Sequence, residues 1–177
     1  MQGRRVEHSV TMNETEPPSL AEIHIAASHL RAVSVPVTPV LTSPVLNTST
    51  GRNVYVKCEN FQRTGSFRSR GALTAVLNAL KIDPSIKGFV TYSSGNHGVA
   101  LSYAASFVKR ACVIVVPRDT QPHTTDAIES YGAEWVTCEP APSGGLLTCS
   151  HISRERDLFI IPTSDNSDVI AGNYRSR

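Results

Sequence analysis

The sequence predicts an α/β protein in which a parallel sheet is covered by helices on both faces. Three observations carry that reading. Strand-like runs alternate with helical segments along most of the chain. Several runs, such as ACVIVV at 111–116, are apolar at consecutive positions, as in strands buried on both sides. No internal repeat or low-complexity tract points to another architecture.

The elements follow in order. Residues 1–18 are polar and end in Pro17-Pro18, which predicts a disordered leader. Ser19 is a good N-cap for a first helix in which Ile23, Ala26, Ala27, Leu30 and Val33 recur at helical spacing, ending before Pro36. Pro36, Pro39 and Pro44 then predict an extended passage with a short turn or helix near Leu46. NVYVKCE (53–59) alternates as a strand does. Ser66 is positioned to cap a helix bearing Leu73, Val76, Leu77 and Leu80. Strands are expected at 88–92, 111–116, 134–138 and 158–162, with helices at 97–108, 123–131 and, weakly, 145–155. DNSDVIAG (165–172) opens a last helix, for which Asp165 and Asp168 are the candidate caps.

Composition narrows the function. Apolar residues make up 40% of 177, enough for a real core, and a net charge of +2 gives no reason to expect nucleic acid or an anionic membrane as partner. No apolar run reaches 18 residues, and no apolar stretch follows the early arginines, so a cytoplasmic location is expected. Cys58, Cys112, Cys138 and Cys149 are widely spaced and read as buried reduced thiols. The six histidines show no metal spacing, and no metal site is expected. Gly144-Gly145 reads as a turn.

Two stretches could carry chemistry. In TYSSGNHGVA (91–100) a strand ends, a Ser-Ser-Gly-Asn loop follows and a helix begins, which suits a phosphate or carboxylate at the helix N-terminus. The plainer alternative is a βα turn capped by Ser94 or Asn96. In GSFRSRGA (65–72) two arginines crowd a second helix start, where the dipole disfavours cations. Arg70 either holds a carboxylate or phosphate in bidentate fashion or is a solvated surface arginine.

Taken together, TPVLTS (38–43), GRNVYVKCENFQRTGSF (51–67), RGA (70–72), SSGNHG (93–98), IVVP (114–117), YGAEWVTCEP (131–140) and DVIAG (168–172) resemble the serine racemase and serine/threonine dehydratase family. The resemblance runs from about residue 20 to 173. It implies a fold-type II pyridoxal-phosphate enzyme, with parallel twisted sheets and helices on both faces. It further implies a nearly complete small domain at 88–162 and a partial large domain from 19–87 and 163–177. By position, Ser94 is implied as the racemase-type acid/base and Asn96 as the partner of the cofactor's ring hydroxyl. Ser93, Asn96 and His97 are implied as the cradle of a substrate carboxylate, from an amino acid like L-serine. Residues matching an ATP site are Ser43, Val45, Arg63 and Thr64, with Arg63 replacing a lysine and Pro44 a serine.

The departure falls on the nucleophile. Where the family carries its Schiff-base lysine, in S-F-K-x-R-G-A, this chain has Arg68. A guanidinium stays protonated above pH ~12 and its delocalised nitrogens are poor nucleophiles. The family's long C-terminal half has no counterpart here, so the chain reads as a truncated, catalytically impaired relative. The alternative is a non-catalytic regulatory fragment that associates as a homodimer, or as a heterodimer with a full-length relative.

Overall fold

The computed structural model describes residues 16–139 and 142–174. Of the leader expected over 1–18, residues 1–15 lie outside the described residues. Helix α1 (Leu20–Ala32) starts with a reciprocal cap, in which the Glu22 N–H donates to Ser19 Oγ and the Ser19 N–H donates to the Glu22 carboxylate at 2.7 Å. Its buried stripe is Ala26, Ala27 and Leu30. The proline-punctuated passage contains a short strand, β1 (Val40–Thr42), and then helix α2 (Pro44–Thr50). Strand β2 (Tyr55–Lys57) pairs antiparallel with β1, and a single 3-10 turn, Glu59–Phe61, leads to α3 (Arg68–Ile82).

The remainder alternates as expected: β3 (Gly88–Tyr92), α4 (Asn96–Phe107), β4 (Ala111–Pro117), α5 (Pro122–Ser130), β5 (Glu134–Cys138), α6 (Pro142–Arg156), β6 (Phe159–Ile160) and α7 (Ser167–Tyr174). The four main strands form a parallel sheet in the order β5-β4-β3-β6. Both faces are covered, because successive strand residues point to opposite sides. Phe89, Cys112, Ile114 and Val116 meet α4 on one face; Val90, Val113 and Val115 meet Cys149 and Ile152 of α6 on the other.

Helix α3 packs on α4 and α7, and α7 reaches α1. The α3–α7 crossing is close because both helices present glycine. A Cβ on Gly172 would lie 2.8 Å from Gly71 Cα and from the Arg70 carbonyl, and one on Gly71 would lie 2.5 Å from the Val169 carbonyl. Asn173 Oδ1 accepts from the Gly71 N–H at 3.1 Å, and Asn78 donates to Asp168 at 2.7 Å.

Four local expectations are corrected. Ser66 does not cap α3: the N-cap is Phe67, with no side-chain cap, and the buried Ser66 hydroxyl makes no hydrogen bond. Neither Ser94 nor Asn96 caps α4; Ser93 Oγ instead accepts from the Gly95 and Gly98 N–H groups at 3.3 and 3.1 Å. Asn166, rather than Asp165 or Asp168, caps α7 by accepting from the Val169 N–H at 2.9 Å. Gly144 and Gly145 lie inside α6 rather than in a turn, since any Cβ on Gly145 would overlap the ring of Tyr92.

Gly172→Ala therefore forces backbone against backbone and should cost about 1–3 kcal/mol. The expected result is a lower urea midpoint at unchanged m-value, followed by the fluorescence of the single tryptophan, Trp135.

Candidate functional site at the carboxyl edge of the sheet

The strand order places a switch point between β3 and β6. From β3 the chain steps outward through β4 and β5, then returns by α6 to the other side of β3. In open parallel sheets ligands bind in the crevice beyond the strand ends at such a point. Here that crevice lies between the loop after β3 (Ser93–Gly95) and the segment after β6, and Thr163 Oγ1 ties the two by donating to the Tyr92 carbonyl at 2.5 Å.

The loop residues divide by orientation. Ser93 is buried and its hydroxyl organises the turn, whereas Ser94 and Asn96 are exposed. His97, only 3% exposed in the first turn of α4, has no hydrogen bond at either ring nitrogen. Burial pushes its pKa down to about 4 and the charge of Arg68 adds to this; the backbone of Ile161 offsets part of the shift without a well-formed hydrogen bond.

Arg68 is the first residue of α3 and reaches into the crevice. Its Nη1 donates to the Thr163 carbonyl at 3.0 Å, and its guanidinium carbon lies 5.3 Å from the centre of the Phe67 ring. Through Thr163, which is tied to the Tyr92 carbonyl, the structure thus brings Arg68 to the start of the Ser93–Asn96 loop. Thr163 was missed in the sequence, although its place just past the apolar run LFIIP marks the carboxyl end of a strand.

Arg70 is neither a ligand anchor nor a surface residue. Its Nε and Nη2 donate to the two carboxylate oxygens of Glu59 at 2.8 and 2.9 Å, with both side chains largely shielded from water (6% and 11% exposed). Nη2 also donates to the Pro36 carbonyl, and Thr38 Oγ1 donates to Glu59 at 2.6 Å. Burial alone would raise the Glu59 carboxyl; hydrogen bonds from Arg70 and Thr38 and the charges of Arg70 and Lys57 outweigh it and hold it below its ordinary value.

Of the four residues singled out for a nucleotide, two are engaged within the fold, Ser43 by its side chain and Arg63 by its carbonyl. Ser43 Oγ accepts from the Leu46 N–H to cap α2, Val45 is exposed, and the Arg63 carbonyl accepts from the Tyr131 hydroxyl at 2.9 Å. Thr64 Oγ1 is buried without a hydrogen bond. The four cysteines are buried and unpaired. Among the described residues no cluster of three metal-ligating side chains occurs, and no helix is long and apolar enough to cross a membrane.

Comparison with known proteins decides the family. Residues 33–176 match the family of pyridoxal-phosphate dependent enzymes. The chain belongs to that family. It is 41% identical over 156 residues to serine racemase of Homo sapiens, covering 87% of this chain and 46% of the relative. Among solved structures it is similar to a pyridoxal 5'-phosphate-dependent aspartate racemase (42% identity, TM-score 0.84, 90% of this chain and 49% of that one). It is also similar to the serine racemase of Dictyostelium discoideum (37% identity, TM-score 0.79, 88% and 50%). The fold is therefore that of the fold-type II pyridoxal-phosphate enzymes, and the chain spans about half the length of the relatives it matches.

Pyridoxal phosphate is the family's cofactor, and the residues of this crevice do not fit its covalent attachment. Four lysines occur in the sequence, and none lies beside Arg68. Lys57 Nζ donates to the Thr38 carbonyl, on the Glu59 side of α3. Lys81 sits at the far end of α3, about 20 Å along the helix axis. Lys87 pairs with Asp157 at the opposite edge of the sheet, and Lys109 precedes β4 there.

Two outcomes follow. Glu59→Gln leaves a buried guanidinium uncompensated and should cost about 3–5 kcal/mol, read from urea unfolding at neutral pH. His97 contributes stability in full above pH ~6.5, where the unfolded chain is also neutral, and loses about 3 kcal/mol as pH falls from 6.5 to 4, because only the unfolded chain takes up the proton. Glu59 acts in a lower window, its contribution being lost only as pH drops through its depressed folded-state value. In a series of urea midpoints, His97→Phe should flatten the slope between pH 6.5 and 4 and leave the more acidic fall in place.

Proposed function

We propose that this chain is a serine racemase or serine/threonine ammonia-lyase-like protein of amino-acid metabolism that has lost covalent catalysis. The observation that carries the reading is Arg68 at the head of α3, donating to Thr163 in the crevice where the family's lysine is expected. The parent reaction is racemisation of serine, or elimination of water from it to give pyruvate and ammonia.

In this reading 88–162 is the small domain, and 19–87 with 163–177 belong to the large one; the packing of α7 on α3 and α1 supports the second grouping. Ser94, exposed over the crevice, takes the racemase-type acid/base position. Asn96 is the partner of the ring hydroxyl, and Ser93, Asn96 and His97 form the carboxylate cradle, with Ser93 acting through the turn it organises. Nucleotide binding has no part in this reading, because Ser43 is engaged as a helix cap and Val45 is exposed. A cytoplasmic location is in keeping with such a metabolic role.

A second reading, regulatory association with a full-length relative or a second copy, is favoured by one observation. Val40, Leu41, Tyr55 and Val56 on β1 and β2 and Val45 on α2 are all exposed, which leaves apolar surface for another chain to cover.

The deciding experiment compares the purified chain with Arg68→Lys. Each is mixed with pyridoxal phosphate, and visible absorbance and pyruvate release from L-serine are recorded. The unaltered chain should show no imine band and no turnover, whereas Arg68→Lys should gain the band. An imine band in the unaltered chain would overturn the loss of covalent catalysis. Stable co-purification with a full-length relative would support the second reading.

A further inference from the structure

We propose that Arg68 turns this crevice into a noncovalent binding site for a small organic carboxylate, gripped by the free Nε/Nη2 edge of the guanidinium. The inference rests on the crevice being the family's ligand site, and it goes beyond the loss of the lysine by assigning the replacement a ligand of its own.

The first support is the contrast between two arginines on one helix. Arg70 has the Glu59 carboxylate on both nitrogens of one edge. Arg68 donates through Nη1 to the Thr163 carbonyl and lies by the Phe67 ring; no carboxylate pairs with it among the described residues. Arg68 is half-buried, so its guanidinium is partly desolvated without a counter-anion, and a bound anion offsets that cost.

The second support is a group of donors that have no acceptor. His97, 3% exposed at the start of α4, has no hydrogen bond at either ring nitrogen, and Thr163, whose carbonyl accepts from Arg68, is tied through its hydroxyl to Tyr92 just ahead of the same loop. A neutral imidazole offers an N–H to an anion without adding charge. The Ser66 hydroxyl, 6% exposed two residues before Arg68, is likewise unpartnered. Both α3 and α4 begin without a side-chain cap of their own, so the positive ends of their dipoles add to the field, although the Gly71 and Gly98 N–H groups are already bonded to Asn173 and Ser93.

The shape of the donor decides the ligand class. With Nη1 engaged on Thr163, the open edge offers two parallel N–H bonds in one plane. That matches the two oxygens of a carboxylate rather than the tetrahedral shell of a phosphate.

The test uses the whole chain with pyruvate as the probe, without pyridoxal phosphate, at ionic strength held constant with chloride. Pyruvate should raise the melting temperature saturably and move the ring NMR signals of His97. Arg68→Gln, shown to be folded by circular dichroism, should lose both responses. Arg68→Lys, which keeps the charge but lacks the fork, is probed with acetate, which has no ketone to condense with the amine; it should bind acetate roughly tenfold more weakly than the unaltered chain and remains informative if the Gln variant does not fold. The proposal is overturned if Arg68→Gln binds pyruvate, or Arg68→Lys binds acetate, as the unaltered chain does, if the unaltered chain gives no response, or if inorganic phosphate alone produces one. No cofactor is present, so a negative result here leaves the family reading to its own absorbance test.

Discussion

The ion pair between Arg70 and Glu59 sets the geometry on which the crevice depends. It fixes one side of the first turn of α3 against the 3-10 turn, with Thr38 and the Pro36 carbonyl closing the shell around it. Residues two apart on an α-helix point about 200° apart around its axis. Holding Arg70 toward Glu59 therefore turns Arg68 away from it, toward Thr163. The Gly71–Gly172 contact then secures the helix from a third direction, since neither backbone can move closer and Asn173 ties the Gly71 N–H.

That arrangement explains why two cations tolerate a helix start that disfavours them. Arg70 is neutralised by a carboxylate held below its ordinary pKa, so the local sum of charge at that side is near zero. Arg68 has only a carbonyl and an aromatic face, both weaker partners than a full negative charge. Its uncompensated field falls on His97, which burial already keeps neutral, and the crevice retains a positive character that the dipoles of α3 and α4 reinforce.

Much of the fold was legible because it rests on periodicity. GFVTY and EWVTC form strands with the expected bounds, and the apolar run at 111–116 lies inside β4, buried on both faces. The caps were less legible because a cap depends on where a loop leads the chain. Ser66 and Asn96 have suitable side chains but the wrong approach, while Ser93, outside the helix, turns back to serve it. Gly145 carried no local signal, since its reason is the ring of Tyr92, 53 residues earlier in the chain. The partner of Arg70 was hidden for the same reason: nothing in a charge at Glu59 shows that a 3-10 turn will place it 2.8 Å from a guanidinium eleven residues on.

At the head of α3, arginine and lysine carry the same charge and differ in what they can give up. An ammonium at two helix N-termini is disfavoured by their dipoles and can give up its proton, and the freed amine is a nucleophile. A guanidinium has no such neutral form to offer, so its charge remains in the folded state without a carboxylate partner among the described residues. Only an anion compensates it. The features that suit the family's crevice to covalent chemistry, a desolvated floor and converging helix dipoles, thus favour oxyanion capture once Arg68 stands there, without any change in the backbone that surrounds it.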